Sequence, residues 1–96
     1  MNDWYLYLIR CSDGSLYTGI TTDVARRFQE HQRKGEGGAK YLRGRGPLKL
    51  AFQIEVENRR LALKLESKIK KLSKARKEKI VSDNRYIEKI MAQVKS

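Results

Sequence analysis

Residues 4–20 read WYLYLIRCSDGSLYTGI, two apolar runs separated by a polar turn. The first run, Trp4 to Cys11, is rich in aromatic and aliphatic residues at successive positions, which is typical of a strand covered on both faces. Ser12-Asp13-Gly14 is a turn signal, and Ser15 to Ile20 follows as a second strand. We therefore predict a β-hairpin whose first strand is central in its sheet.

The length of the turn decides which side chains share a face of this hairpin. A two-residue turn would place Tyr7 and Tyr17 on opposite faces, because a slip of one residue reverses every side chain. A three-residue loop with Gly14 in the left-handed region pairs Ile9 with Tyr17 and Tyr7 with Gly19. We favour the three-residue loop, which brings two phenols together beside a glycine that leaves space above it.

A helix is predicted after the hairpin, capped by Thr22 or Asp23. Arg27 and His31 are four residues apart in this helix and so lie on one face. His31 is expected at the edge of the buried side. The apolar stripe of the helix consists of Val24, Ala25 and Phe28.

Residues 34–47 are predicted to form a loop, because five of the seven glycines fall there: Gly35, Gly37, Gly38, Gly44 and Gly46. A third strand is predicted over residues 48–56, where apolar residues alternate. We expect one face of this strand to carry Leu48, Leu50, Phe52, Ile54 and Val56.

Two more helices are predicted after the third strand. Asn58 can cap a helix from Arg59 to Leu72, and Glu66 borders its buried face. Apolar residues at helical spacing predict a last helix over residues 84–95. The order β-β-α-β-α-α is that of a small α+β domain.

Composition restricts the class of partner. The chain has 96 residues, enough for one domain with one modest core. Lys and Arg total 22 against 11 Asp and Glu, and the net charge of +11 favours a polyanionic partner, most often nucleic acid. Charge alone allows RNA as readily as DNA, and a binding protein as readily as an enzyme.

Other features argue for a cytoplasmic protein that does not bind membranes. Cys11 is the single cysteine, which excludes an internal disulfide and a thiolate metal site. No apolar run approaches the ~18 residues of a membrane span. Met1-Asn2-Asp3 is not the basic start of a signal peptide.

A wider pattern of residues resembles the GIY-YIG endonuclease superfamily, and most closely its small stand-alone bacterial members. The pattern consists of Tyr7, Tyr17-Thr18-Gly19, Arg27, His31 and Glu66. The resemblance implies a three-stranded antiparallel sheet flanked by helices. It also implies a single nuclease domain over residues 1–96, with a core at about 3–75 and a C-terminal helical extension at 76–96.

The resemblance implies a metal-dependent DNA endonuclease that hydrolyses phosphodiester bonds in DNA repair or processing, by structure or with low sequence specificity. The implied cofactor is Mg²⁺ or Mn²⁺, held by Glu66. Tyr7 matches the tyrosine of the first family motif, and Tyr17 matches that of the second. Gly19 matches the glycine of the second motif and is assigned to substrate binding. The implied catalytic residues are Tyr7, Tyr17, Arg27, His31 and Glu66.

Three positions depart from the family pattern. Tyr5 stands where the first motif usually has Gly, and Thr18 stands where the second usually has Ile. Many members also have an Asn after the glutamate. Asn84 is the only Asn downstream of Glu66, and it lies too far along the chain to be a counterpart.

The chemistry of these residue types agrees with the implied reaction. Mg²⁺ prefers oxygen ligands and keeps several waters, so Glu66 alone can supply the protein's share of its ligands. Arg27 offers a planar fork of donors to a phosphate. A neighbouring cation or metal can lower the pKa of a tyrosine. Tyr7, Tyr17 and His31 therefore all remain open as the general base. Instead of binding a metal, Glu66 could form an ion pair with Lys70.

Basic residues after the first helix and along the second long helix can bind phosphates, which positions a substrate without reading its sequence. We assign substrate binding to Lys40, Arg43, Arg45, Lys68 and Lys71. The alternative function is a basic module of the same fold that binds DNA or RNA with little or no cleavage. In either case a protein partner can supply targeting, and the sequence predicts no oligomeric state.

Overall fold

The computed structural model describes residues 3–33 and 39–95. Its strands are β1 Trp4–Arg10, β2 Leu16–Thr21 and β3 Lys49–Val56, and its helices are α1 Val24–Gln32, α2 Arg59–Lys70, α3 Lys74–Ser82 and α4 Asn84–Lys95. A 3₁₀ turn, Lys40–Leu42, lies between α1 and β3. The strands form an antiparallel sheet in the order β2-β1-β3, so the predicted α+β class and the central position of β1 are confirmed.

The hairpin has the predicted three-residue loop. The Cys11 amide donates to the Ser15 carbonyl (2.9 Å), and the Gly14 amide donates back to the Cys11 carbonyl (3.0 Å). Gly14 has φ of +85°, a left-handed conformation that costs a residue without a side chain little. The pairs Ile9–Tyr17 and Tyr7–Gly19 follow, so the predicted register is confirmed.

Alternate side chains of β1 point to opposite faces of the sheet, so β1 presents apolar residues on both faces. Helices cover both of these faces. Leu6 and Leu8 pack against α2, α3 and α4 through a cluster that includes Ala62, Leu65, Ile69, Ile80, Ile87 and Ile90. Tyr7 and Ile9 point to the other face, towards α1 and the 3₁₀ turn. The buried members there include Cys11, Val24, Leu42 and Leu48.

The prediction that β3 presents five apolar residues on one face is wrong. Leu8 pairs with Phe52 while the next residue, Ile9, pairs with Leu50, so Ala51 is an extra residue in a β-bulge. The bulge reverses the alternation. Leu48 joins the cluster with Ile9, whereas Phe52 packs with Leu6 and Leu8 on the opposite face.

The helical region holds one more helix than predicted. Helix α2 ends at Lys70 rather than Leu72, and Ser73 caps α3 by accepting from the Arg76 amide (3.2 Å). Helix α3 buries only Ile80, so it has no clear apolar stripe in the sequence. Helix α4 has the predicted bounds. Asp23, one of the two predicted caps, caps α1.

The predicted loop over residues 34–47 is described from residue 39 onward, and Gly35, Gly37 and Gly38 lie outside the described residues. Among the helices that the structure describes, none is long and apolar enough to cross a membrane.

Candidate active site

Tyr7 and Tyr17 meet on the face of the sheet that α1 covers, as the hairpin register requires. Their ring centroids are 6.5 Å apart. The Tyr7 ring fills the space over Gly19 that the sequence analysis predicts, because a Cβ at position 19 would lie 2.5 Å from Tyr7 Cζ. The glycine of the second motif therefore admits the tyrosine of the first.

His31 closes the site from α1 and is 5% exposed. Its Nε2 atom lies 2.8 Å from the Tyr7 hydroxyl, and its Nδ1 atom lies 3.1 Å from the Ala39 amide nitrogen. A backbone amide only donates, so Nδ1 is the acceptor and Nε2 carries the proton of the neutral ring. His31 thus donates to Tyr7, and both ring nitrogens are occupied.

Burial keeps both members of this pair in their neutral forms. It lowers the pKa of His31 to about 4, with a further decrease from the Arg27 charge. Burial also raises the pKa of Tyr7 to about 12, and the neighbouring Tyr17 raises it further, while hydrogen bonding and charge from Arg27 lower it. At neutral pH the site therefore holds an imidazole and a phenol.

Arg27 lies one turn before His31 on α1 and contacts the same hydroxyl. A hydrogen bond with Glu30 is the main cause that raises the pKa of Arg27, and its interaction with Tyr7 contributes as well. The ion pair with Glu30 is 2.8 Å long, and a third of each of the two side chains is exposed. The guanidinium thus joins Tyr7 to a carboxylate at the surface.

Glu66 lies on α2, which packs on the face of the sheet opposite Tyr7. Its side chain is 19% exposed, and its charge is close enough to Tyr7 to contribute to the raised pKa of that phenol, after burial and Tyr17. Its carboxylate lies 3.5 Å from Lys70 Nζ, so the ion pair that is the structural alternative to metal binding by Glu66 is present.

The donors at this site fit a hydrated hard cation. The described part of the chain holds no group of three or more His, Cys, Asp and Glu side chains arranged to bind a metal. One partly buried carboxylate, Glu66, fits Mg²⁺ or Mn²⁺, ions that take oxygen ligands and keep waters. A site that required several protein ligands, such as structural zinc, does not fit.

The predicted basic residues divide into two regions. Lys40, Arg43 and Arg45 lie in and after the 3₁₀ turn, next to the tyrosines. Lys68 and Lys71 instead line a groove between α2 and α4 together with Leu72 and Val94. Residues two apart on a helix do not face each other, so Lys68 points away from Glu66.

Tyr41 is a further residue of the site, which the sequence pattern does not predict. Its ring is stacked on Tyr17, with centroids 5.7 Å apart and planes at 29°. The Arg45 guanidinium lies 4.2 Å from the centre of the Tyr41 ring. The available signal was an aromatic residue between basic neighbours in a glycine-rich loop.

The sheet order and the hairpin register are those of a particular class of domain. The family model described as the GIY-YIG catalytic domain matches residues 3–79. The chain therefore belongs to the GIY-YIG family, which generally comprises endonucleases.

Comparison with similar proteins identifies the branch of the family that this chain resembles. The chain is 52% identical to a UPF0213 protein of Citrobacter koseri and 51% identical to the UPF0213 protein YhbQ of Salmonella typhimurium; each match covers all of this chain and 94% of the relative. The solution NMR structure of a UPF0213 protein from Bacillus halodurans matches with a TM-score of 0.54 and 44% identity, over 83% of each chain. The resemblance to a small stand-alone bacterial member is thereby confirmed.

Proposed function

We propose that the protein is a cytoplasmic, metal-dependent DNA endonuclease that acts in DNA repair or processing, by structure or with low sequence specificity. The observation that carries the proposal is the pair of α1 residues, His31 and Arg27, that contact the Tyr7 hydroxyl. The Glu66 carboxylate of α2 is near enough to affect the pKa of Tyr7. His31 supplies a hydrogen-bond donor, Arg27 a positively charged guanidinium and Glu66 a carboxylate. Phosphodiester hydrolysis requires groups of these kinds.

Arg27 is the phosphate-binding residue in this proposal. Its planar guanidinium can donate two parallel hydrogen bonds to a phosphate, which a lysine cannot match. In the free protein Glu30 occupies one side of that fork. A substrate phosphate would replace or share this exposed contact, so Arg27 is held ready without being buried in a fixed pair.

His31 is assigned to positioning Tyr7 rather than to accepting its proton. The Nδ1 atom is occupied by the Ala39 amide, and Nε2 donates to the Tyr7 oxygen. The Tyr7 proton is therefore directed away from His31. This arrangement favours a phenol as the group that orients the attacking water, and the raised pKa of Tyr7 suits that residue to orienting the water rather than deprotonating it.

Glu66 would hold the divalent cation, which when bound supplies positive charge beside the phosphate and lowers the pKa of neighbouring groups. Lys70, its partner in the free protein, neutralises the carboxylate when no cation is present. Lys40 and Arg43 would bind phosphates next to the site, and Lys68 and Lys71 would bind phosphates further along the substrate. Arg45, which is paired with Asp13 and lies against Tyr41, would contact the substrate beside them.

The test measures cleavage of end-labelled single-stranded, duplex and branched DNA, with Mg²⁺, with Mn²⁺ or with a chelator. We expect metal-dependent cleavage that Glu66→Gln and Arg27→Lys each reduce by about 100-fold or more. Lys70→Gln is the matched control, because it removes the partner of Glu66 and keeps the carboxylate. Full activity in the Glu66 and Arg27 variants, each folded as judged by circular dichroism, would reject these roles.

A second candidate function is a basic module that binds nucleic acid without cutting it. The Glu66–Lys70 ion pair favours it, because the carboxylate is already neutralised. This alternative predicts binding to DNA or RNA that weakens steeply with salt and needs no metal. Absence of cleavage on every DNA and RNA substrate, with binding retained, would establish it.

A further inference from the structure

We propose that Tyr41 and Arg45 form a stacking site for one unpaired nucleobase of the substrate, directly beside the tyrosine pair. The inference rests on the proposed function only in taking nucleic acid as the ligand. It adds a residue-level site and a substrate feature, an unpaired base beside the tyrosine pair.

Tyr41 is placed to contact a ligand. It is 44% exposed, one of the few large hydrophobic side chains at the surface of the described residues. Its ring stacks on Tyr17, which in turn lies 6.5 Å from Tyr7. A continuous row of rings therefore leads from the surface to the candidate active site.

The segment that carries Tyr41 is anchored by the residues that follow it. Leu42, the next residue, is 3% exposed and belongs to the cluster under the sheet. The Arg45 carbonyl accepts a hydrogen bond from the Ser12 amide (2.8 Å), and the Arg45 guanidinium forms an ion pair with Asp13. The segment is thus tied to the β1–β2 turn, and the stacking surface keeps its position relative to Tyr17.

The charge around the ring suits a nucleic acid strand. Lys40 and Arg43 are exposed and flank Tyr41 in the chain. The Arg45 guanidinium already lies 4.2 Å from the centre of the ring, so a base would stack on the outer side of the Arg45–Tyr41 pair or replace the guanidinium on the ring. Aromatic rings and guanidinium planes are the groups on which bases stack, and basic neighbours bind the phosphates that follow the base.

An unpaired base fits this surface better than a paired one. Inside a duplex both faces of a base are covered by its neighbours, so stacking on Tyr41 requires a base that is single-stranded or displaced from the stack. The site therefore selects strands with unpaired bases, such as single strands or the open part of a branched substrate.

The experiment measures binding with a chelator present, so that affinity is separated from cutting. A fluorescent ten-residue oligothymidylate is compared with an abasic strand of the same length and charge. We expect the wild-type protein to bind the base-containing strand about tenfold more tightly. Tyr41→Leu should abolish this difference and leave the affinity for the abasic strand unchanged, because leucine keeps the apolar packing on Tyr17 without a π face.

Two further variants separate stacking from fold and charge. Tyr41→Trp should retain or increase the preference for the base-containing strand. Arg43→Gln should weaken binding of both strands to a similar extent, because it removes one phosphate contact and no ring. Equal affinity of the wild-type protein for the two strands, or a Tyr41→Leu variant that retains the preference, would overturn the inference.

The outcomes distinguish this inference from the proposed function. Base preference without cleavage would support the stacking site and reject the nuclease. Cleavage without base preference would support the nuclease and reject the stacking site. A protein that binds neither strand would reject the stacking site, and cleavage of duplex and branched DNA would still decide the nuclease.

Discussion

The Tyr7 ring occupies the volume that a side chain at position 19 would need. The two residues are directly paired across β1 and β2, and a Cβ built on Gly19 would meet the phenol 2.5 Å from Cζ. This contact explains why a glycine stands in the second motif at the position opposite the first-motif tyrosine. It also holds the Tyr7 hydroxyl against His31 Nε2 (2.8 Å).

Gly19→Ala is expected to displace Tyr7. The added methyl group overlaps the ring, so the ring must rotate and lose its hydrogen bond with His31. Overpacking of this kind costs about 1–3 kcal/mol of the free energy of unfolding. Urea denaturation measures that cost, and we expect cleavage to fall with it.

Gly14→Ala is the control for the Gly19 substitution. Gly14 has φ of +85°, and nothing lies within 4 Å of a Cβ built there. We expect a loss of stability of about 1–2 kcal/mol from left-handed strain, with the Tyr7–His31 contact intact. If both variants affected cleavage equally at matched stability, the overlap with Tyr7 would not be the cause.

The pKa of His31 predicts a pH dependence of stability. Burial lowers this pKa to about 4, below the ordinary value of 6.5, so the unfolded chain binds more protons between these two values. Stability should therefore fall as the pH decreases from 6.5 to 4, by on the order of 2 kcal/mol in total. Urea denaturation at a series of pH values measures this.

NMR tests the same prediction at the level of the ring. His31 is the only histidine, so its ring signals are unambiguous. We expect the neutral tautomer with the proton on Nε2 and a midpoint near pH 4. His31→Gln, which cannot titrate, should remove the slope of stability over pH 6.5–4. A midpoint near 6.5 would show that the ring is neither buried nor held by Ala39.

The hairpin could be predicted from sequence because its determinants are local. Gly14 is the loop residue that accepts a positive φ, and this sets the register that brings Tyr7 and Tyr17 together. The position of Arg27 and His31 on one face of α1 follows from their spacing of four residues alone. These parts of the candidate site required no knowledge of long-range contacts.

The features that were missed depend on contacts between distant segments. The bulge at Ala51 is decided by pairing with Leu8 and Ile9, so the alternation of apolar residues in β3 does not reveal it. The tautomer of His31 depends on the Ala39 amide, which a loop brings back to α1. Tyr41 likewise joins the candidate site through the stacking of its ring on Tyr17, a contact that the sequence does not show.

Glu78 should stabilise the folded protein at all but strongly acidic pH values. Hydrogen bonds from Arg10, and secondarily from Lys74, lower the pKa of Glu78 to about 2. A depressed carboxyl pKa contributes stability above the unfolded value of about 4.3, and this is lost as the pH falls through the folded value. Since a third of the side chain is exposed, we expect Glu78→Gln to cost only about 1 kcal/mol at pH 7.

Urea denaturation at pH 2 to 7 tests this expectation. The difference between the wild-type protein and Glu78→Gln should shrink below pH 4 and vanish near pH 2, a window separate from that of His31. Lys74→Gln should cost less than Glu78→Gln, because Arg10 remains. A constant difference at all pH values would show that the effect comes from packing rather than charge.

Thr18 and Thr21 are two buried threonines of β2 with opposite hydrogen-bonding states. The Thr21 hydroxyl accepts from the Asp23 amide (3.2 Å) at the start of α1. Among the described residues, the Thr18 hydroxyl is the one buried side-chain polar atom that has no hydrogen-bond partner. Thr18 also stands where the family motif usually has an isoleucine.

Thr18→Val should therefore stabilise the protein, and Thr21→Val should destabilise it. An unsatisfied buried hydroxyl carries a desolvation cost of about 1–3 kcal/mol, and valine removes it while keeping the shape of the side chain. The same change at position 21 leaves the Asp23 amide without its acceptor and should cost about 1 kcal/mol. The free energies of unfolding of the two variants should therefore change in opposite directions. A loss of stability in Thr18→Val would show that the hydroxyl has a partner, such as a bound water.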